Sequence, residues 1–152
     1  MPHLSADEES IRFLVTSVSH HIDHKRWEAL RSLFSAEVET DYVSLFGGTP
    51  AKQTSEALIA GWRGALKNVA TQHLLGPIEV GHSGASAAAF CHVRAMHFAA
   101  GAKGGEHWEV MGHYVFRLAE EAKGWKITGM KLETFLQTGN KNLLAEAPGK
   151  AG

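Results

Sequence analysis

Three side chains scattered along the chain have the types that acid–base chemistry at carbon needs: Asp23, His73 and His97. Each stands in a largely apolar neighbourhood: after VSHHI, within TQHLLG, and at the end of a stretch of small residues. An imidazole titrates near neutrality, so it can take a proton from carbon or give one to a leaving group. An aspartate can hold that imidazole in one tautomer and stabilise its charged form. The same histidines also fit a plainer role, as core or surface residues with satisfied nitrogens. Type and spacing alone leave both readings open.

Other residues carry weaker signals. His20 and His24 are four apart on a helical stretch, a metal-binding spacing. No carboxylate-rich motif accompanies them, so they read as a solvated helix end, and no metal is expected. Cys91 is the only cysteine, which excludes an intrachain disulfide and Cys-rich zinc sites. It reads as a small buried hydrophobe facing a hollow. Trp27, Trp62, Trp108 and Trp125 read as packing residues, of which Trp62 and Trp108 are candidates for a pocket wall.

The elements that must position these groups fall into two halves. Ser5 and Glu8 form a capping box ahead of the stripe Ile11, Leu14, Val15, Val18 and Ile22, with Asp23 at the edge of that helix. Trp27, Leu30, Leu33 and Phe34 suggest a short second helix. Residues 38–46, VETDYVSLF, read as a strand ending at Gly47-Gly48. Leu58, Ile59, Trp62, Ala65, Leu66 and Val69 mark another amphipathic helix. Beyond residue 70 the pattern predicts four long strands, over 71–80, 87–99, 106–118 and 125–135, joined by short turns into an antiparallel meander. Helices first and a meander after mean an α+β fold with the helices on one face of the sheet.

Alternation assigns faces. Ala89, Cys91, Val93, Ala95 and His97 share one side of their strand, small and apolar until the histidine. Such a face on a concave sheet leaves a hollow in which one polar group can act. Trp108, Val110, Gly112, Tyr114 and Phe116 share the corresponding face of the next strand, and Trp125, Ile127, Gly129 and Lys131 that of the last. His92 and Arg94 point the other way, to water or to a subunit contact.

Length and composition narrow the class. The 152 residues make one domain, read as 1–145 followed by a flexible tail, 146–152. Lys and Arg total 15 and Asp and Glu 16, a net charge of −1, so the basic footprint of a nucleic-acid partner is missing. No apolar run reaches the ~18 residues of a membrane span. The polar, acidic N-terminus is unlike a secretory signal, and with a single cysteine a reducing, cytoplasmic setting is expected.

The segments IDHKRWEALR, TDYVSLF, ATQHLLG, HVRAMH and WKITGMK, in that order over roughly residues 10–135, resemble scytalone dehydratase, within the SnoaL-like part of the NTF2-like superfamily. The resemblance implies a cone-shaped α+β fold: a curved sheet around N-terminal helices, with a blind apolar pocket and no cofactor. It places Asp23 on the catalytic aspartate, His73 on the general acid–base and His97 on the second active-site histidine. Tyr42 falls on a tyrosine that polarises a substrate carbonyl through water. Tyr114 falls near an asparagine of the third long strand. Asp23 and His73 are also similar to the Asp–His pair of dehydrochlorinases and bile-acid dehydratases.

Two departures stand out. Ile22 occupies the place of a second tyrosine, and LLAEAPGKAG is unlike the pocket-closing segment of the dehydratase. The expected reaction is loss of water from a small cyclic or aromatic substrate. Catalysis would rest on Asp23, His73, His97 and Tyr42, and binding on Tyr114, Trp62, Trp108, Cys91, Ala95 and Lys131. Loss of halide, retro-aldol cleavage, isomerisation or cyclisation, and ligand binding without catalysis are the alternatives. A homo-oligomer, trimer or dimer, is expected.

Overall fold

The computed structural model describes residues 5–149. Ser5 caps the first helix, α1 (Ala6–Asp23): its hydroxyl accepts from the Glu8 amide while the Glu8 carboxylate accepts from the Ser5 amide. Three acidic residues in the first turn favour the positive end of the helix dipole. The stripe Ile11, Val15, Val18 and Ile22 is buried, as its spacing requires. A short α2 (Trp27–Arg31) follows.

The segment 38–46 departs from expectation. Strand β1 runs earlier, Phe34–Asp41, and Val43–Phe46 form a short helix, α3. The Asp41 carboxylate accepts from the Val43 amide, a local turn that competes with the ladder and ends the strand. Strand β2 (Ala51–Thr54) pairs antiparallel with β1. Thr54 then caps α4 (Ser55–Ala65) through a hydrogen bond from the Ala57 amide.

The stretch 71–80 is two strands, β3 (Ala70–Leu75) and β4 (Glu79–Ser83), on opposite halves of β5 (Ser86–Phe98). Pro77 falls between them and has no amide to donate, so the ladder breaks there, on an outer strand where a break is tolerated. β5, β6 (His107–Glu121) and β7 (Gly124–Gly139) form the long antiparallel core of the sheet. The strand order is β2-β1-β7-β6-β5-β3, with β4 beside β5, and the β1–β7 pairing is parallel. This is the expected α+β arrangement, a curved sheet with the N-terminal helices on its inner side.

Two register shifts interrupt the β6–β7 pairing. One leaves Phe135 unpaired between Met111/Leu136 and Gly112/Thr134. There a Cβ on Gly112 would collide with the Glu133 carbonyl oxygen, so close backbone approach requires glycine. The other leaves Thr128 unpaired between Arg117/Gly129 and Leu118/Ile127. A bulge of one residue reverses which side chains face the core. Trp125 and Ile127 are buried before it, and Met130 and Leu132 after it.

A last short helix, α5 (Leu143–Glu146), buries Leu143. Within the expected tail, Ala147 is buried and the Pro148 carbonyl accepts from the Asn68 side chain. Residues 150–152 of that tail lie outside the described residues. Among the described residues, no helix is long and apolar enough to cross a membrane.

Candidate active site

The pairing of β3 with β5 sets Thr71 opposite His97 and His73 opposite Ala95. Paired residues share a sheet face, so these four side chains look inward together. Asp23, on the last turn of α1, meets them from the helix layer. Its Oδ1 accepts from the His73 ring Nδ1 at 2.7 Å and from the Thr71 hydroxyl at 2.9 Å. Its Oδ2 accepts from the His73 backbone amide at 2.9 Å. The carboxylate is thus held at three points, and the imidazole is oriented by its own backbone's partner.

Both members of the pair are withdrawn from water, with side-chain exposures of 8% for His73 and 14% for Asp23. Burial pushes the Asp23 carboxyl up. The hydrogen bonds from the His73 ring and amide and from Thr71 outweigh it, and the net shift is downward. Asp23 is therefore the ionised partner, and His73 Nδ1 carries the proton it donates. That leaves Nε2, on the far side of the ring, as the basic nitrogen.

His73 borders a cavity of about 240 Å³. Its wall is mostly carbon: Ile22, Leu45, Trp62, Val93, Trp108 and Leu132 contribute, with Phe46 and Leu144 from α3 and α5. The polar groups on the wall are His73, His97, Tyr42 and Tyr114. His97 is nearly buried, and its Nδ1 donates to the Trp108 carbonyl at 3.2 Å, which fixes the tautomer because a carbonyl only accepts. Burial, then the neighbouring His73, lower its pKa to about 4, so the ring is neutral near neutral pH. The two imidazoles stand edge to face with centroids 6.1 Å apart.

The two tyrosines are protonated donors. Burial drives the Tyr42 phenol well above its ordinary range, and that of Tyr114 as well. The Tyr42 hydroxyl donates weakly to Met130 Sδ at 3.8 Å. Among the described residues the Tyr114 hydroxyl makes no hydrogen bond.

The cavity gathers most of the residues expected from the sequence: His73, His97, Tyr42, Tyr114, Trp62, Trp108 and Ala95 line it, and Asp23 stands directly behind His73. Two others lie elsewhere. Lys131 is outside, its side chain 48% exposed and its ammonium 2.6 Å from Glu133 and 3.8 Å from Asp41. The Thr128 bulge turns it outward and puts Met130 and Leu132 inside. Cys91 faces inward but is fully buried and off the cavity wall, paired across the strands with Tyr114. Burial raises its thiol pKa to about 11.

Four wall positions and one support escape the sequence reading, Leu132 among them because the Thr128 bulge reverses the face that alternation assigns. The β-forming character of 38–46 hides Leu45 and Phe46, and the absence of periodicity near the C-terminus hides Leu144. Thr71 is within reach, because it sits two residues before His73 and so on the same strand face. Among the described residues no group of three or more His, Cys, Asp or Glu is arranged to hold a metal ion.

Comparison with solved structures finds the same architecture in other proteins. The Kfla4162 protein of Kribbella flavida is 26% identical, with 91% of this chain and 97% of that one covered and a TM-score of 0.84. A Novosphingobium aromaticivorans protein provisionally named scytalone dehydratase is 23% identical, covering 95% and 94% at a TM-score of 0.74. A hexachlorocyclohexane dehydrochlorinase, LinA type 2, is 14% identical, covering 89% of each chain at a TM-score of 0.75. The shared fold is NTF2-like, of cystatin-like architecture. No curated protein sequence matches the chain. A family model for the SnoaL-like domain matches residues 4–131, most of the length. The chain belongs to the SnoaL-like domain family.

Proposed function

We propose that the chain is a lyase of the dehydratase kind, acting through its own side chains on a small cyclic or aromatic substrate. The observation that carries this reading is the Asp23–His73 pair opening onto an apolar cavity. His73 Nε2 takes a proton from a carbon next to a carbonyl. The electrons of that C–H bond become the new double bond as the neighbouring C–O bond breaks. The imidazolium, stabilised by Asp23, returns its proton to the departing hydroxide, which leaves as water. Tyr42 and Tyr114 donate to the carbonyl oxygen as negative charge gathers there, directly or through water. Neutral His97 offers its Nε2 lone pair to a substrate hydroxyl.

A second reading uses the same base to expel halide. It is favoured by the absence of any charged side chain on the cavity wall among the described residues. An apolar halocarbon fits such a wall, and halide departs without a proton.

The test is a panel of hydroxylated and halogenated cyclic and aromatic compounds, with products identified by mass. A product lighter by one water supports dehydration, and halide release supports the second reading. A product of equal mass means isomerisation or simple cyclisation. On an active substrate, His73→Gln and Asp23→Asn should each lower turnover at least about a hundredfold, within the roughly 10²–10⁴-fold that a general acid–base group supplies. Near-normal turnover in either folded variant rejects the mechanism. Binding without turnover across the panel would make the chain a carrier.

A further inference from the structure

Lys25 lies two residues beyond Asp23, in the turn between α1 and α2. Its φ of 54° is the only positive value at a non-glycine residue among the described residues. Glycine and asparagine adopt that conformation easily and lysine does not, so the backbone gives no reason for a lysine here. The side chain does. Its ammonium is partly buried and donates to the Leu66 carbonyl at 2.5 Å and the Val69 carbonyl at 2.7 Å. Leu66 caps the end of α4, and Val69 immediately precedes β3.

These contacts close a small ring of structure. Asp23 is two residues before Lys25, and Thr71 is two residues after Val69. The ammonium crosslinks the two short arms, and at their tips Asp23 meets Thr71 and His73. The hydrogen bonds of Asp23 also join α1 to β3, but they are the contacts whose geometry has to be set. Lys25 sets it from beside the site, touching neither the cavity nor the pair.

We propose that Lys25 is a positioning residue that fixes the end of α1 against the start of β3, so that Asp23 meets Thr71 and the His73 ring in register. This deepens the acid–base reading and rests on it for its consequence in catalysis, but its geometric content can be read without a substrate.

The experiment is NMR on the full chain carrying Lys25→Asn, which suits the backbone conformation and deletes the ammonium. The His73 Nδ1 proton, held by a carboxylate, should resonate far downfield in the wild type. In the variant it should broaden or vanish, and the His73 amide should exchange faster with solvent. The Trp125 indole proton, donated to Asp7 at the other end of α1, should stay in place. Lys25→Arg, which can still reach both carbonyls, should restore the downfield signal. On an active substrate, kcat should fall about tenfold to a hundredfold with KM little changed, as misplacement of a catalytic group does. Lys25→Gln, read the same way, replaces the asparagine variant if that one does not fold.

An intact downfield proton in Lys25→Asn overturns the proposal. So does equal loss of the His73 and Trp125 signals, or an arginine variant as impaired as the asparagine one. Asp23→Asn separates the two levels. If it retains normal turnover the acid–base mechanism fails, while the NMR result on Lys25 still stands or falls by itself.

Discussion

Asp23 grips His73 at two places, accepting from its backbone amide with one oxygen and from its ring with the other. The grip is made at an unfavourable position. Asp23 ends α1, where the helix dipole presents its negative end and repels a carboxylate. Hydrogen bonds from His73 and Thr71 overcome both that repulsion and burial, which is why the carboxyl is shifted down.

Thr71→Val tests the share carried by the hydroxyl. The variant keeps the shape and removes one donor to Oδ1. A carboxyl with a depressed pKa adds stability above its ordinary, unfolded value of 3.8 and loses it as pH falls through the folded value. With one donor gone, the folded value rises toward the unfolded one, so the acid loss of stability becomes smaller and is complete at a higher pH. A cost of about 1.5–3 kcal/mol near neutrality is expected for a hydrogen bond to a charged group. Urea melts between pH 2 and about 7 measure both, and an unmoved acid limb contradicts the account.

His97 acts in a different pH window. Its folded pKa lies near 4, below the ordinary histidine value of 6.5, chiefly through burial and secondly through His73. The unfolded chain therefore binds a proton that the folded chain refuses, and stability falls as pH drops from about 6.5 toward 4. At about 1.4 kcal/mol per pH unit, the interval is worth roughly 3 kcal/mol. His21 is shifted down as well, by burial, Arg26 and its neighbouring histidines, and adds a slope of the same sign. His97→Gln should flatten the slope in this window without abolishing it. Thermal melts across the window read it directly, and an unchanged slope removes His97 as its source.

Tyr114 and Tyr42 divide stability from activity. The Tyr114 hydroxyl engages no described partner, so Tyr114→Phe should change stability by less than about 1 kcal/mol. Turnover should nonetheless fall by about tenfold or more, because a donor to the charged oxygen is lost. Tyr42→Phe should behave alike, since its contact with Met130 is weak. Turnover of the two single variants and the double variant, with their melting temperatures, settles whether the hydroxyls work on one oxygen. Normal turnover in both single variants would remove the tyrosines from the mechanism.

Legibility follows the range of the interaction. The capping box of Ser5 and Glu8 and the stripe of α1 are readable because each depends on residues within a turn or two. The inner faces of β5 and β6 are readable because alternation holds along both. Asp41 breaks the next inference: a side-chain bond to the Val43 amide turns a run of β-formers into a strand end and a helix. The meeting of Asp23 with His73 spans 50 positions and depends on how β3 registers against β5, which no local pattern records. Resemblance to a family supplies that pairing, and spacing does not. Cys91 shows a further limit, because alternation gives its face but not its depth: it is fully buried and off the cavity wall.

Lys131 gives the sharpest case, and a test. Alternation from Trp125 through Gly129 puts it inside, and it would stay inside if β7 were regular. The unpaired Thr128 adds one residue, so Met130 and Leu132 take the inner face and the ammonium turns to Glu133 and Asp41. Lys131→Ala should therefore leave turnover and KM unchanged. Leu132→Lys, which puts a cation where the wall is carbon, should abolish binding of an apolar substrate and destabilise the fold, because a buried unpaired charge is costly. Deleting Thr128 removes the extra residue and leaves Trp125, Ile127, Met130 and Leu132 in strict alternation on the inner face, so that variant should still fold and keep the cavity. Steady-state kinetics on the first variant and melting curves on the other two decide it. A large loss of turnover in Lys131→Ala would mean that the ammonium reaches the substrate after all, and that the face assignment of β7 beyond the bulge is wrong.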